Sequence, residues 1–212
     1  MLAILFSIVA GYLFGSVPFG LLVARLKGID IREHGSKNIG ATNVWRVCGA
    51  KFGLPVFILD ALKAVAAVLL ARWLAVHFSG DGAWCGIAGA MSCVLGHSFP
   101  IWLQFKGGKG VATSLGGLLA LLPLEGVTAF AVWLIVFFAS RYVSLASIAA
   151  AVALPILATG AQLMGWGHGW PCVGFAAAVA LLVIIRHKAN IQRLLAGTEN
   201  RFGRKPKPEA QP

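Results

Sequence analysis

Four short stretches carry the residue types that hold anions. In "HGSKNIGATNVWR", residues 34–46, Gly35, Ser36 and Gly40 expose backbone N–H groups, while Asn38, Thr42 and Asn43 supply side-chain hydrogen bonds. Asn43 and Arg46 stand three apart and share a face if this part is helical. Such a loop running into a helix is an anion cradle, or else an ordinary polar loop with glycine turns. "FKGGKG", residues 105–110, precedes an apolar run, so backbone N–H groups at that helix start are expected to point outward; Gly107 and Gly108 allow close backbone approach, and Lys109 adds a full charge. That suits phosphate; the plainer reading is a tight loop flanked by lysines that set membrane topology. It is not a Walker loop, which would need Gly at 103 and Ser or Thr at 110, where Leu103 and Gly110 stand. Ser144 in "RYVSLAS" reads as a helix cap, an interhelical contact or a ligand. His187 and Asn190 in "RHKANI" fall on one helical face.

Acids are scarce near these stretches. Asp30 and Glu33 are the only ones in the first loop, and Glu199 the only one near the last motif. A paired-carboxylate metal site is therefore not expected, and neither a metal nor another cofactor is called for, since Lys, Arg and backbone N–H groups hold phosphate by themselves.

The elements that must position these residues are membrane helices. The chain has 212 residues, 58% hydrophobic and 12% charged. Several apolar runs approach spanning length without period-two alternation, which selects helices over a barrel. Predicted spans are 2–24, 54–76, 84–104, 111–124, 126–140, 143–164 and 170–186. The fourth and fifth are separated at "LPLEG", 122–126, by proline and glycine. The expected fold is all-α: a polytopic bundle of about seven spans in one domain over residues 1–203. A polar tail, 204–212, is expected to be disordered.

Charge sets the sidedness. With seven spans, sixteen of the 18 Lys and Arg lie on one side, and the other two, Lys63 and Arg72, lie within the second span. This places the N-terminus outside and the C-terminus in the cytoplasm. No Lys or Arg precedes Arg25, so the first segment reads as a retained span rather than a cleaved signal. The basic excess reflects topology rather than nucleic-acid binding. Asp60 and Lys63, at i, i+3 in the second span, are expected to pair. His97 is placed to orient the turn after the third span. The four cysteines, far apart and without a CxxC, read as reduced apolar residues.

"GSKN", "GATNVWR", "GHSFPIWLQFKGGKGVAT", "RYVSLAS" and "HKANI" resemble the ordered motifs of the bacterial acyl-phosphate:glycerol-3-phosphate acyltransferase family, over residues 2 to 203. Lys37 and Lys188 depart from the family pattern. The resemblance implies seven spans in the bacterial inner membrane with a site facing the cytoplasm. The implied reaction moves a fatty acyl group from acyl phosphate to the 1-hydroxyl of glycerol 3-phosphate, giving lysophosphatidic acid and inorganic phosphate. It assigns the backbone of Gly35 to Gly40, with Ser36, to the acyl phosphate. Arg46 and Lys109 go to glycerol 3-phosphate, with Ser144, His187 and Asn190 completing that site and Glu199 fixing the tail near its mouth. Ser36, Arg46, Lys109 and His187 are the expected catalytic set. The hydroxyl proton goes to the donor's own phosphate or to His187. The HxxxxD arrangement of acyl-CoA-dependent glycerolipid acyltransferases is absent, the fifth residue after each His being Ile39, Gly82, Trp102, Val173 and Gln192. Partners are the two substrates and membrane lipid, in a monomer or weak homo-oligomer. The competing readings are a transporter for phosphorylated metabolites, which needs polar groups through the membrane depth, and a metal-dependent phosphotransferase, which needs an acid cluster.

Overall fold

The computed structural model describes residues 1–203, and among them every regular element is helical. The tail expected to be disordered, 204–212, lies outside the described residues. The predicted first span is two helices, α1 (Leu2–Ser16) and α2 (Phe19–Arg25). They part at Val17–Pro18 because proline has no N–H with which to continue the ladder. Lys63 Nζ donates to the Val17 carbonyl at 3.0 Å.

A short helix, α3 (Ala41–Cys48), follows the first loop and leads into α4 (Ala50–His77), longer than the predicted second span. The Asp81 carboxylate caps α5 (Gly82–Ser98) by accepting from the N–H groups of Ala83 and Trp84 at 2.8 and 3.0 Å. After a 3-10 turn, Ile101–Leu103, and the glycine loop come α6 (Val111–Leu121) and α7 (Pro123–Ser140). The chain breaks inside "LPLEG" as expected, with Pro123 opening α7 where its missing N–H costs nothing. Next are α8 (Val143–Leu163) and α9 (Trp170–Arg186). A bend of 58° at His187 then leads to α10 (Lys188–Leu195).

Among the described residues, five segments are long and apolar enough to cross a membrane: α1 with α2, α4, α5 with its 3-10 turn, α7 and α8. Counting α9 with α10 as one bent span makes six. The predicted fourth span, 111–124, is the 11-residue α6, which covers about 16 Å at 1.5 Å per residue and does not cross by itself.

Small residues bring the helices together. A Cβ on Gly11 or Gly15 of α1 would strike the backbone of Gly89 or Cys93 in α5, and one on Gly96 would strike the Tyr12 carbonyl. Gly116 likewise seats α6 against the backbone of Ala61 in α4. Apolar solvent gives helices no hydrophobic reason to associate in lipid, so this close backbone packing supplies the attraction. The four cysteines are free and buried. The expected Asp60–Lys63 pair is present at 2.7 Å, with both side chains 3% exposed. His97 joins it, its Nδ1 lying 3.0 Å from Lys63 Nζ and 3.4 Å from Asp60 Oδ1. Three elements are therefore tied together deep in the bundle: the α1–α2 break, α4 and α5.

Candidate active site

The first loop is folded by one side chain. Asn43, buried in the first turn of α3, donates through Nδ2 to the carbonyls of Ile31, His34 and Asn38, and its Oδ1 accepts from the Ser36 N–H at 2.8 Å. Gly35 has φ +60°, and a Cβ there would collide with Asn43 Oδ1. Asn38 Oδ1 accepts from the Gly40 N–H at 2.9 Å. The expected run of open N–H groups from Gly35 to Gly40 is thus partly closed, because Ser36, Lys37 and Gly40 donate within the loop. Among the described residues, the N–H groups of Ala41 and Thr42 at the start of α3 have no protein acceptor, and both residues line a cavity.

The glycine loop also differs from expectation. The Gly107 N–H donates to the Ser98 carbonyl at 3.2 Å, and that of Gly108 to the His97 carbonyl at 3.0 Å. Arg186 reaches over from the end of α9. Its Nη2 donates to the Gly107 and Gly108 carbonyls at 3.0 and 2.9 Å, and its Nε to the Gly108 carbonyl at 3.1 Å. Every backbone polar group of the two glycines is therefore taken, and neither has an N–H left for a phosphate. Their lack of a Cβ serves packing: one on Gly108 would overlap the His97 ring, and one on Gly107 the backbone of His97 and Ser98.

What this clamp presents is Lys109. Its Nζ donates to Asn190 Oδ1 at 2.5 Å. Asn190 Nδ2 and Ser144 Oγ both donate to Glu199 Oε1, at 2.6 and 2.7 Å, and Arg193 Nε donates to Glu199 Oε2 at 2.7 Å. Lys109 lies in the glycine loop, Ser144 opens α8 and Asn190 lies in α10, so one network joins residues as far apart as Lys109 and Asn190, 81 positions. Burial is the largest influence on Glu199 and would raise its pKa, but hydrogen bonds from Asn190, Ser144 and Arg193 outweigh it and hold the group below the ordinary carboxylate value. Burial lowers Lys109 to about 8; Glu199 opposes that shift, and Arg193, Arg46 and Arg186 add to it. His187, at the α9–α10 bend, is 2% exposed. It is lowered to about 4, first by burial and then by Lys109. Its Nδ1 lies 2.8 Å from the Val183 carbonyl, which can only accept, so Nδ1 carries the proton and Nε2 keeps a lone pair.

Ser36, Asn38, Arg46, Lys109, Ser144, His187, Asn190 and Glu199 all line one cavity of about 420 Å³. Leu54, Phe57, Leu115, Phe130, Leu154 and Val179 line the same cavity, so one opening joins a polar, cationic region to an apolar one. The expected site residues outside it are Gly35, Gly107 and Gly108, which shape the loops. Asn43 borders it with its amide committed to the first loop. Among the described residues no three His, Cys, Asp or Glu side chains come together to hold a metal ion.

A family model for glycerol-3-phosphate acyltransferase matches residues 5–197. The chain belongs to the glycerol-3-phosphate acyltransferase family. A glycerol-3-phosphate acyltransferase of Thermosynechococcus vestitus is 48% identical over 198 residues, covering 91% of this chain and 92% of the relative. One of Aquifex aeolicus is 44% identical over 200 residues, covering 93% and 98%. The crystal structure of PlsY, an integral membrane glycerol 3-phosphate acyltransferase in its glycerol 3-phosphate form, superimposes with a TM-score of 0.82 at 43% identity, covering 94% of this chain and 96% of PlsY. Its lysophosphatidic acid form gives 0.80 at 42% identity. Sequence reasoning passed over two basic residues, Arg193 in the cavity lining and Arg186 on the glycine loop. Arg193 stands three residues after Asn190 on the face already marked by His187, a signal that was available. Arg186 acts through backbone carbonyls, which leave no trace in residue types.

Proposed function

We propose that the chain transfers a fatty acyl group from acyl phosphate to the 1-hydroxyl of glycerol 3-phosphate, forming lysophosphatidic acid and inorganic phosphate at the cytoplasmic face of a bacterial inner membrane. One observation carries the reading. Donors from α3, the glycine loop, α8 and the α9–α10 bend converge on a cavity that continues into apolar surface. A fatty acyl phosphate has that same division, a dianion at one end and a hydrocarbon chain at the other. PlsY, known in glycerol 3-phosphate and lysophosphatidic acid forms, supplies the acceptor and product by analogy.

In this reading Lys109 and Arg46 hold the phosphate of glycerol 3-phosphate. Ser144 and Asn190 position the acceptor, and Glu199 orients both side chains. Ser36, with the N–H groups of Ala41 and Thr42, faces the acyl phosphate. The acceptor oxygen attacks the acyl carbon, the new ester C–O bond forms, and the C–O bond to phosphate breaks. Phosphate is a good leaving group, so orientation and charge neutralisation provide most of the rate. His187 is buried, with its Nδ1 proton committed to the Val183 carbonyl. Its Nε2 lone pair is suited to accepting a hydrogen bond from the acceptor hydroxyl and aiming it, and the donor's phosphate takes the proton.

Seven crossings with the N-terminus outside follow if α6 enters from the basic side as a short buried helix and α7 returns. Short helices with a buried end are tolerated where protein surrounds the end. The deciding experiment gives purified, reconstituted protein glycerol 3-phosphate with either acyl phosphate or acyl-CoA, with and without a chelator. Lysophosphatidate formed from acyl phosphate alone, unaffected by chelator, supports the proposal. Turnover only with acyl-CoA, or vesicle uptake without turnover, overturns it.

A further inference from the structure

The stretch after α10 runs along the cavity wall as a strap fixed at two points. Glu199 is held by Ser144, Asn190 and Arg193. Three residues later the Phe202 N–H donates to the Arg141 carbonyl, between α7 and α8, at 2.8 Å. At the second anchor the Phe202 ring packs edge-on against two aromatics from different helices: Trp45 of α3, with centroids 5.7 Å apart, and Phe137 of α7, 5.4 Å apart. All three aromatics line the cavity, and the flanking residues Arg46 and Glu199 belong to its polar region. Phe202 is half-buried, with Arg201 and Gly203 exposed on either side. The three rings therefore form an aromatic bar between α3 and α7 in the cavity wall, beside its polar region.

An acyl phosphate needs such a bar. It is activated enough that water competes with the intended acceptor. In productive transfer the glycerol oxygen bonds to the acyl carbon as phosphate leaves with the hydroxyl proton. In the side reaction a water oxygen bonds to the same carbon, giving a fatty carboxylic acid and phosphate, with the two water protons divided between them. Catalytic groups that stabilise departing phosphate assist both equally, so what separates them is how well the acceptor is held and how well water is kept out. We propose that Phe202, seated between Trp45 and Phe137, is a specificity-determining residue that keeps water from the acyl carbon and so directs the acyl group to glycerol 3-phosphate. The inference rests on acyl phosphate being the donor.

The test measures phosphate release from acyl phosphate with and without glycerol 3-phosphate, and lysophosphatidate formed, for wild type, Phe202→Ala and Phe202→Tyr, with thermal unfolding of each protein in detergent. Phe202→Ala is expected to raise the ratio of hydrolysis to transfer about tenfold, equivalent to about 1.4 kcal/mol in relative barriers, while Phe202→Tyr keeps the wild-type ratio because the ring remains. A folded Phe202→Ala protein whose ratio stays within about twofold of wild type overturns the inference. Should Phe202→Ala not fold, Trp45→Ala removes the opposite side of the bar and is held to the same criterion. Failure of the wild type to use acyl phosphate sinks the donor assignment instead. An active wild type with an unmoved ratio sinks only the role of Phe202.

Discussion

Replacing Gly108 with alanine tests whether the glycine loop serves to aim Lys109. The new Cβ would overlap His97 Nε2 and come within 2.9 Å of Cδ2 and Cε1. The ring has no retreat, because its Nδ1 side is held by Lys63 at 3.0 Å with Asp60 beyond. The loop must give way, stretching the Arg186 bonds and the Gly108 bond to the His97 carbonyl. Forcing one methyl into a packed site costs about 1–3 kcal/mol. The functional cost is separate: a displaced Lys109 loses a charge-assisted hydrogen bond to the acceptor's phosphate, about 1.5–3 kcal/mol. At 1.4 kcal/mol per tenfold, KM for glycerol 3-phosphate rises about 10- to 150-fold, with a smaller change in kcat. The assay is initial phosphate release against glycerol 3-phosphate concentration at saturating acyl phosphate. His97→Ala in the same chain makes room for the methyl and leaves the Asp60–Lys63 pair intact. The double variant should therefore recover part of the loss, as a coupling of about 0.5–3 kcal/mol. A folded Gly108→Ala protein with KM within about twofold of wild type, or a double variant showing no coupling, refutes the reasoning.

Three further outcomes follow from the same network. Arg186→Lys removes the fork that spans two carbonyls, and kcat/KM is expected to fall about tenfold or more, with Arg186→Ala lower still, in steady-state assays. Lys109 is lowered to about 8, so its charge is present below that pH and is lost above it. The kcat/KM for glycerol 3-phosphate should therefore decline as pH rises through about 8, and Lys109→Arg should abolish that decline. Glu199→Gln weakens three hydrogen bonds to a carboxylate, at about 2–3 kcal/mol or a Tm about 5–10 °C lower by thermal unfolding. Because the folded-state pKa of Glu199 is depressed, wild-type stability from this group is present above the ordinary carboxylate value and lost as pH falls through the folded one.

The legible parts of the fold and site were those written in residue type. Apolar runs located the long helices, Pro123 marked the α6–α7 break, and the spacing of His187 and Asn190 placed them on neighbouring turns at one helix end. Less legible were the breaks in apolar stretches. Residues 2–24 read as one span, and only the Lys63 bond to the Val17 carbonyl shows how the interruption at Pro18 is satisfied. The length of α6 was overestimated because hydropathy measures what tolerates lipid, not where a hydrogen-bond ladder stops. The partners of the glycine loop were illegible for a related reason. Paired glycines announce close backbone approach without naming what approaches, and in the structure it is His97 and Arg186.

Composition and motif order by themselves determined a helical membrane acyltransferase with its cations mostly set between apolar runs, since lipid forbids unpaired backbone and leaves few places for charge. Tertiary structure decided which of those cations face one another. Lys109 meets Asn190 across 81 positions of chain, and Ser144 meets Glu199 across 55, only because helix packing brings their elements to the same cavity. Such contacts depend on where whole helices sit to within an ångström or so, and local sequence spacing carries no record of that distance.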